Sequence, residues 1–315
     1  MDIMIEYHNN RYLFFENHLL NIVTGYNHTI KWQLMRSLYR FQEGKQLNTL
    51  EEQTYGIDGL TIKIDNKIMT KKNLQLLFMT NSQELNEQLS LKKNTLMFEY
   101  MISQMHHISL QKEYEQLLNQ ILILEDSINQ HFNNNHLENI SFKLPVITFE
   151  DIIKRSEITG HKEQLSLMNA NLLLDQYLYL LQCYLDNHDQ YTMIILRNES
   201  QFLDASNMQY LYDKLRYLSQ QFPKFIVLKM HDNETLSTFN CDTEEIIFVG
   251  DTIQQLPPID IIHQTVYMHY PFEFKASEQE LLEQLYRILP IINENNFSQT
   301  PLDMVLYEVI QRLLK

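Results

Sequence analysis

Glycine and proline are scarce, 6 and 7 among 315 residues, which excludes collagen-like repeats and argues against a turn-rich sandwich or barrel. Cysteine is nearly absent. Cys183 and Cys241 stand far apart without metal-ligand spacing, so they read as reduced packing residues rather than as a disulfide or metal ligands. No window approaches about 18 uninterrupted apolar residues, and the opening MDIMIEYHNN has no basic segment followed by an apolar run. No membrane partner is therefore expected, and the chain reads as cytoplasmic. The twelve histidines include no HExxH, and His106 and His107, adjacent on a helix, point to different faces. Structural roles are expected for them. Basic residues are also in deficit, 25 Lys and Arg against 40 Asp and Glu for a net charge of −15, which argues against a nucleic-acid binder whose whole surface is cationic.

That deficit is uneven. Residues 1–80 hold 9 basic and 8 acidic side chains, residues 81–190 hold 7 and 15, residues 191–258 hold 5 and 9, and residues 259–315 hold 4 and 8. An anion site is expected in the N-terminal part. Length suggests two domains, at roughly 100–200 residues each.

Apolar periodicity is strong throughout. Tyr191–Met230 reads as a complete strand, helix, strand unit. Met193 to Leu196 and Phe225 to Leu228 are continuous apolar runs, as in strands covered on both faces, and Met208, Leu211, Leu215 and Leu218 between them step along one helix face. Asp204 or Ser206 caps that helix, and Pro223 ends it. The two strands are expected to be parallel, joined by a right-handed crossover. This is the heart of an α/β domain.

Before that unit, Tyr12–Phe15 and Leu19–Val23 read as short strands, and Thr24–His28 as a turn into a helix over Thr29–Phe41. That helix is expected to carry Trp32, Met35, Leu38 and Tyr39 inward and Lys31, Arg36 and Arg40 outward. Leu60–Ile64 and Lys67–Met69 flank Asp65-Asn66, a two-residue hairpin turn. Lys63, Lys67, Lys71 and Lys72 gather there, either as a solvated face or as phosphate contacts. Glu84 to Phe132 is helical, with Asn133–Asn139 as a polar break after it. Ile140–Leu144 reads as a short strand, Thr148 with Asp151 as a helix cap, and about Gln164 to Leu185 as a long helix. These helices should form a second lobe inserted into the first domain. Glu245–Val249 and Thr265–Met268 read as strands, with Pro257-Pro258 a boundary between them. Ser277 with Glu280 forms a capping box for a helix to about Leu289. Thr300, Pro301 and Asp303 open a last helix whose stripe from Leu302 to Leu314 must be buried, on the head or against another subunit.

A strand running through a glycine turn into a helix bearing a lysine is the layout of a phosphate-binding loop. The residues are wrong for a working one. Against G-x-x-x-x-G-K-[ST], the chain has Gly25, Ile30 in place of the second glycine, Lys31, and Trp32 in place of the magnesium-binding hydroxyl. A remnant loop and coincidence both remain open, and a working site is disfavoured. The strand at Met193–Leu196 likewise leads to Arg197, Asn198 and Glu199 rather than to an Asp-Glu pair. A surface or helix-capping role is expected for Glu199.

The order of elements and three strings resemble one family. LTIKIDNKIMTKKNLQLLFMTN (60–81), ISFKLPVITFEDIIKRSEI (140–158) and the segment 193–228 are similar to the Csn-two family, the type II-A CRISPR-associated accessory protein of spacer acquisition, in its longer form. The likeness covers about residues 1–258. It implies an α/β fold with a degenerate P-loop-ATPase-like head (1–83 plus 190–258) and an inserted helical leg (84–189); the strand and helices read beyond it make a C-terminal α/β extension (259–315) packing on the head or on a neighbouring subunit. It implies no enzyme activity, a homotetrameric ring binding linear double-stranded DNA through a lysine-lined hole, and other CRISPR acquisition proteins as partners. Calcium supports the ring in short members. Here the region around Glu125, Asp126 and Glu138 has Lys143, Leu144 and Pro145 where a denser acidic string is expected, so no ligands are named. Lys31, Arg36, Arg40, Lys63, Lys67, Lys71 and Lys72 are the candidate DNA contacts. A scaffold that recruits acquisition proteins without touching DNA is the alternative, and an active NTPase the less favoured one.

Overall fold

The computed structural model describes the chain except residues 45–47, 56–59, 136, 138, 161–167, 233–235, 272–274, 293–300 and 315; of residues 50, 237, 238, 291, 301–304 and 313 it describes the backbone only. Glu138, the proposed helix start at Gln164 and the cap at Thr300 lie outside the described residues.

The elements run β1 (Asp2–His8), β2 (Arg11–Glu16), β3 (Asn21–Thr24), α1 (His28–Glu43), α2 (Thr49–Tyr55), β4 (Ile62–Ile64), β5 (Lys67–Ile68) and β6 (Leu74–Met79). Then come α3 (Ser82–Gln88), α4 (Leu96–Gln104), α5 (Ile108–Asn134), α6 (Phe149–Arg155) and α7 (Ala170–Asn187). The last group is β7 (Tyr191–Leu196), α8 (Ala205–Gln221), β8 (Phe225–Met230), β9 (Ile246–Val249), β10 (Ile253–Gln255), α9 (Ile259–His269), α10 (Glu278–Ile288) and α11 (Pro301–Leu313). Two compact units result: Met1–Ser82 with Asp189–Lys315, and Gln83–His188.

The first unit holds both sheets. One is antiparallel, in the order β2-β1-β4-β5; the other has the order β10-β9-β3-β8-β7-β6 and is parallel except for β10. Alternation decides the first sheet: Ile3 and Ile5 of β1, Leu13 and Phe15 of β2, and Ile62 and Ile64 of β4 all point to one buried face. There they meet Leu34, Met35 and Leu38 of α1 and one face of the second sheet, including Met193, Ile195, Ile226, Leu228 and Ile247. Each such fully buried side chain contributes roughly 1.5–3 kcal/mol. On the other face of β7 and β8, α8 packs with Leu211, Leu215 and Leu218 buried. The strand, helix, strand unit is as read from the sequence, with β7 and β8 in parallel register from Thr192↔Phe225 to Leu196↔Lys229 and Asp204 as the cap.

Several expectations fail for identifiable reasons. Thr265–Met268 is not a strand but part of α9, because Ile262 and Val266, four residues apart, bury one helix face. The extension is thus helical over its described residues. The stripe of α11 is buried within the chain, with Leu306, Val309, Ile310 and Leu314 all under 9% exposed. It leaves no apolar face for a neighbouring subunit at those positions. β1 and β6 lie outside the strands read from the sequence, although the alternation of Ile3, Ile5 and Tyr7 carries the signal for β1.

In the second unit, α7 buries Leu173, Leu174, Tyr177, Leu178, Leu181 and Tyr184 and packs on α4, which also meets α6. Thr148 and Asp151 form the capping box of α6. Ile140–Leu144 is extended but joins no sheet. Side chains of α5 satisfy its backbone instead: Asn129 pairs with both the N–H and the C=O of Phe142, at 2.7 and 2.9 Å, and Glu125 accepts from Leu144 N at 2.7 Å. Tyr114 of α5 also donates to Ile147 O at 2.8 Å and meets the Phe149 ring edge-on at 5.9 Å, yet none of the 27 residues of α5 is buried.

Candidate functional site

The seven cations singled out from the sequence do not form one patch. Lys31 is 3% exposed, on the buried face of α1 with Leu34, Met35 and Leu38, while its neighbour Trp32 is 56% exposed. Their expected orientations are reversed. The Lys31 ammonium lies 2.9 Å from the Asp232 carboxylate and donates to the His231 carbonyl oxygen at 3.1 Å, so it is not offered to a ligand outside. Arg40 is also turned in, paired with Glu43 at 3.1 Å and Glu51 at 2.9 Å. Arg36 is exposed and lies 5.5 Å over the Trp32 ring.

The hairpin lysines divide between two faces. Asp65 and Asn66 take φ of 47° and 63°, the left-handed pair that a primed two-residue turn requires. Across this hairpin Lys63 pairs with Ile68, and Ile64 with Lys67. Directly opposed residues share a face, so Lys63 stands on the outer face with Ile68, whereas Lys67 leaves on the side of buried Ile64. Lys63 reaches across β1 to the Tyr12 ring at 5.9 Å. Lys71 lies against the end of α1: a Cβ placed on Gly44, the left-handed C-cap, would come within 2.7 Å of its ammonium nitrogen. A cation is favoured at that negative helix end. Lys72 is exposed beside it. Arg36, Lys63, Lys67, Lys71 and Lys72 have no carboxylate partner among the described residues.

A second cluster sits where the parallel strands end, the usual ligand position in such sheets. Here β3 gives Thr24, β7 is followed by Arg197, and β8 by His231 and Asp232. Arg197 grips one Asp232 oxygen with Nε at 2.9 Å and Nη2 at 2.8 Å, and Lys31 holds the other. Burial works to raise the Asp232 pKa, yet Lys31 and then Arg197 hold it below the usual carboxylate value. Burial, reinforced by Lys229 and Lys31, pushes the His231 imidazole down to about 3, so it is neutral at physiological pH. Its Nδ1 lies 3.3 Å from the Thr24 hydroxyl.

Glu199 is 1% exposed and forms a buried ion pair with Lys229 of β8. It takes neither the surface nor the capping role expected of it. The turn that sinks it passes through Asn198, at φ 59°. No sequence motif announces these pairs; the one available signal is that Lys31 falls in step with Leu34 and Leu38.

No protein-family model matches the chain, and no curated protein matches it. Among solved structures, Stu0660 of Streptococcus thermophilus matches 100% of this chain and 94% of its own, with a TM-score of 0.86 at 16% identity. The chain has that α/β fold. The cbiO1 protein from Clostridium perfringens, part of the ABC transporter complex cbiONQ, matches at a TM-score of 0.36 and 11% identity over 85% of this chain and 95% of its own, a likeness too low to bear on the fold. Among the described residues, no three His, Cys, Asp or Glu side chains are placed to hold a metal ion, and no helix is long and apolar enough to cross a membrane.

Proposed function

We propose that the chain is a member of the Csn-two family and acts in CRISPR spacer acquisition as a non-catalytic homo-oligomer that binds linear double-stranded DNA without sequence preference. The three strings at 60–81, 140–158 and 193–228 support the family, and the fold shared with a streptococcal protein along its whole length is consistent with it. The observation that carries the DNA reading is the division of cations. Lys31, Arg40, Arg197, Arg216 and Lys229 are all neutralised by carboxylates inside the first unit, while Arg36, Lys63, Lys67, Lys71 and Lys72 are not. Nucleotide turnover is absent from this proposal because Lys31 is engaged and Ile30, Trp32 and Asn198 leave magnesium without partners. Calcium enters only through the family likeness.

Phosphate contacts carry no base information, so affinity should fall steeply with salt and vary little with sequence. Replacing Lys63, Lys67, Lys71 and Lys72 together by glutamine should weaken binding at least tenfold and flatten the salt slope, by up to about 0.9 for each phosphate no longer neutralised. Linear fragments should bind and covalently closed circles should not, as threading through a ring demands. Equal binding of circles would remove the ring. Undiminished binding by the fourfold variant would move the DNA to another surface, and no binding by the parent protein would leave the scaffold reading.

Self-association has a better candidate than α11. On α5, Leu110, Leu117 and Leu124 recur every seven residues and are 39, 44 and 53% exposed, and the alternate heptad positions hold half-buried Ile121 and Ile128 and Tyr114, which is already engaged by Ile147 and Phe149 of its own chain. An apolar seam of three heptads along a helix about 40 Å long is the pattern of a helix that pairs with another. Leu117→Glu with Leu124→Glu should convert the oligomer to a 37.9 kDa monomer in a native mass measurement. Retention of the parent mass would place the interface on another surface.

A further inference from the structure

We propose that the C-terminal edge of the parallel sheet retains a cradle for a small oxyanion and that the chain's own Asp232 carboxylate occupies it. This stands apart from the DNA reading. A lysine on the first turn of the helix after β3 is where a phosphate-binding loop places its phosphate-contacting cation. Lys31 has that position, and its ammonium meets an anion, but the anion is covalently part of the protein.

Both oxygens of Asp232 are held by cations in the way a bound phosphate or carboxylate would be. Lys31 takes Oδ1 at 2.9 Å; Arg197 converges on Oδ2 with Nε at 2.9 Å and Nη2 at 2.8 Å, so each oxygen meets a cation. The cradle is graded from inside to outside. The Lys31 side chain is 3% exposed, those of Asp232 and Arg197 are 28 and 33%, so the carboxylate sits at the mouth and the lysine behind it. Among the described residues no other carboxylate pairs with Lys31 or Arg197. His231 is neutral, and the charge of Lys229 is already balanced by Glu199. Among the described residues the Lys31 ammonium has one other acceptor, the His231 carbonyl oxygen, which carries no charge. Without Asp232 the site would hold two converging cations, one of them buried, around a space the size of a carboxylate. An isolated buried charge is strongly unfavourable, so a small anion from solution should take the vacated place.

The test is the thermal unfolding midpoint of the full-length Asp232→Ala protein in sodium formate, acetate or phosphate against chloride at equal ionic strength. The variant should unfold earlier than the parent in chloride and recover saturably in at least one of the oxyanions. At about 100 times the dissociation constant the recovery should reach roughly 5–10 °C. The parent protein, its cradle filled, should show no such specific shift. Lys31→Met with Asp232→Ala should be indifferent to the anion and more stable in chloride than Asp232→Ala alone. An anion effect of the same size in the parent or in the double variant would overturn the proposal, as would its absence in Asp232→Ala. If Asp232→Ala does not fold in any of the four salts, the double variant is read in chloride. Folding of the double variant in chloride would then show that the stranded lysine is costly while no oxyanion replaces the carboxylate, which rejects the cradle, and failure of the double variant as well rejects it equally.

Discussion

Replacing Glu199 with alanine is expected to cost the first unit about 3–5 kcal/mol, the usual penalty for stranding one member of a buried ion pair. Lys229 lies on β8, flanked by β3 and β7, with its side chain 4% exposed. Its ammonium is held by Glu199 and lies 5.8 Å over the Phe239 ring. A ring face recovers only a part of the missing attraction. The partner on the other side fares no better. Glu199 Oε1 has no hydrogen-bond partner among the described residues, so Lys229→Met should also be costly, leaving a carboxylate in an apolar surround. Glu199→Leu combined with Lys229→Met removes both charges at similar volume and should recover most of the stability, since a buried pair is often worth little more than a good apolar contact. Chemical denaturation of the four proteins measures the coupling. If each single variant lost less than about 1 kcal/mol, water would be reaching the pair and its burial would be incorrect.

The position of that pair explains why the site resists a reading from sequence. Arg197-Asn198-Glu199 departs from the nucleotide motif its strand invites, which leaves Glu199 to a surface by default. What it does depends on Lys229, thirty residues away and on an adjacent strand, and no local pattern joins them. Lys31 is the opposite case. Its burial is legible, since residues 31, 34, 35 and 38 share one helical face and three of them are apolar, but Trp32 draws the inward assignment by its hydrophobicity. The carboxylate that makes a buried Lys31 tolerable comes from Asp232, after a different strand, and only parallel pairing of β3 with β8 brings the two together. Elements whose cause is local are legible: the caps at Asp204 and Ser277, the Asp65-Asn66 turn, and the two apolar runs of β7 and β8. Thr265–Met268 misleads because Thr, Val and Tyr side by side favour a strand in isolation, whereas burial of Val266 in α9 overrides that preference. Ile140–Leu144 lacks a second strand to pair with, and the polar side chains of α5 take that role.

Gly25→Ala should be the other costly change, at about 3–4 kcal/mol, and its cause is the close approach of the turn after β3 to β9. Gly25 has φ of 119°, a conformation that residues with a Cβ rarely adopt. An added Cβ would also stand 2.4 Å from the carbonyl oxygen of Val249, and that oxygen belongs to β9, pinned between β3 and β10. In a phosphate-binding loop a glycine lets the backbone approach the ligand. Here it lets the backbone approach β9. Asn27 N donates to Val249 O at 3.1 Å, and Asn27 Nδ2 donates to Gly250 O at 3.0 Å, so the turn is spent on the neighbouring strand. Gly44→Ala supplies the comparison. Its φ is 60°, also left-handed, but the three atoms nearest to its Cβ all belong to the end of the Lys71 side chain, which can swing away. That change should cost about 1 kcal/mol. A large gap between the two variants in denaturant midpoint places the cost in the approach to β9. Equal destabilisation would show that backbone conformation alone is responsible and that β9 yields to the intruding methyl group.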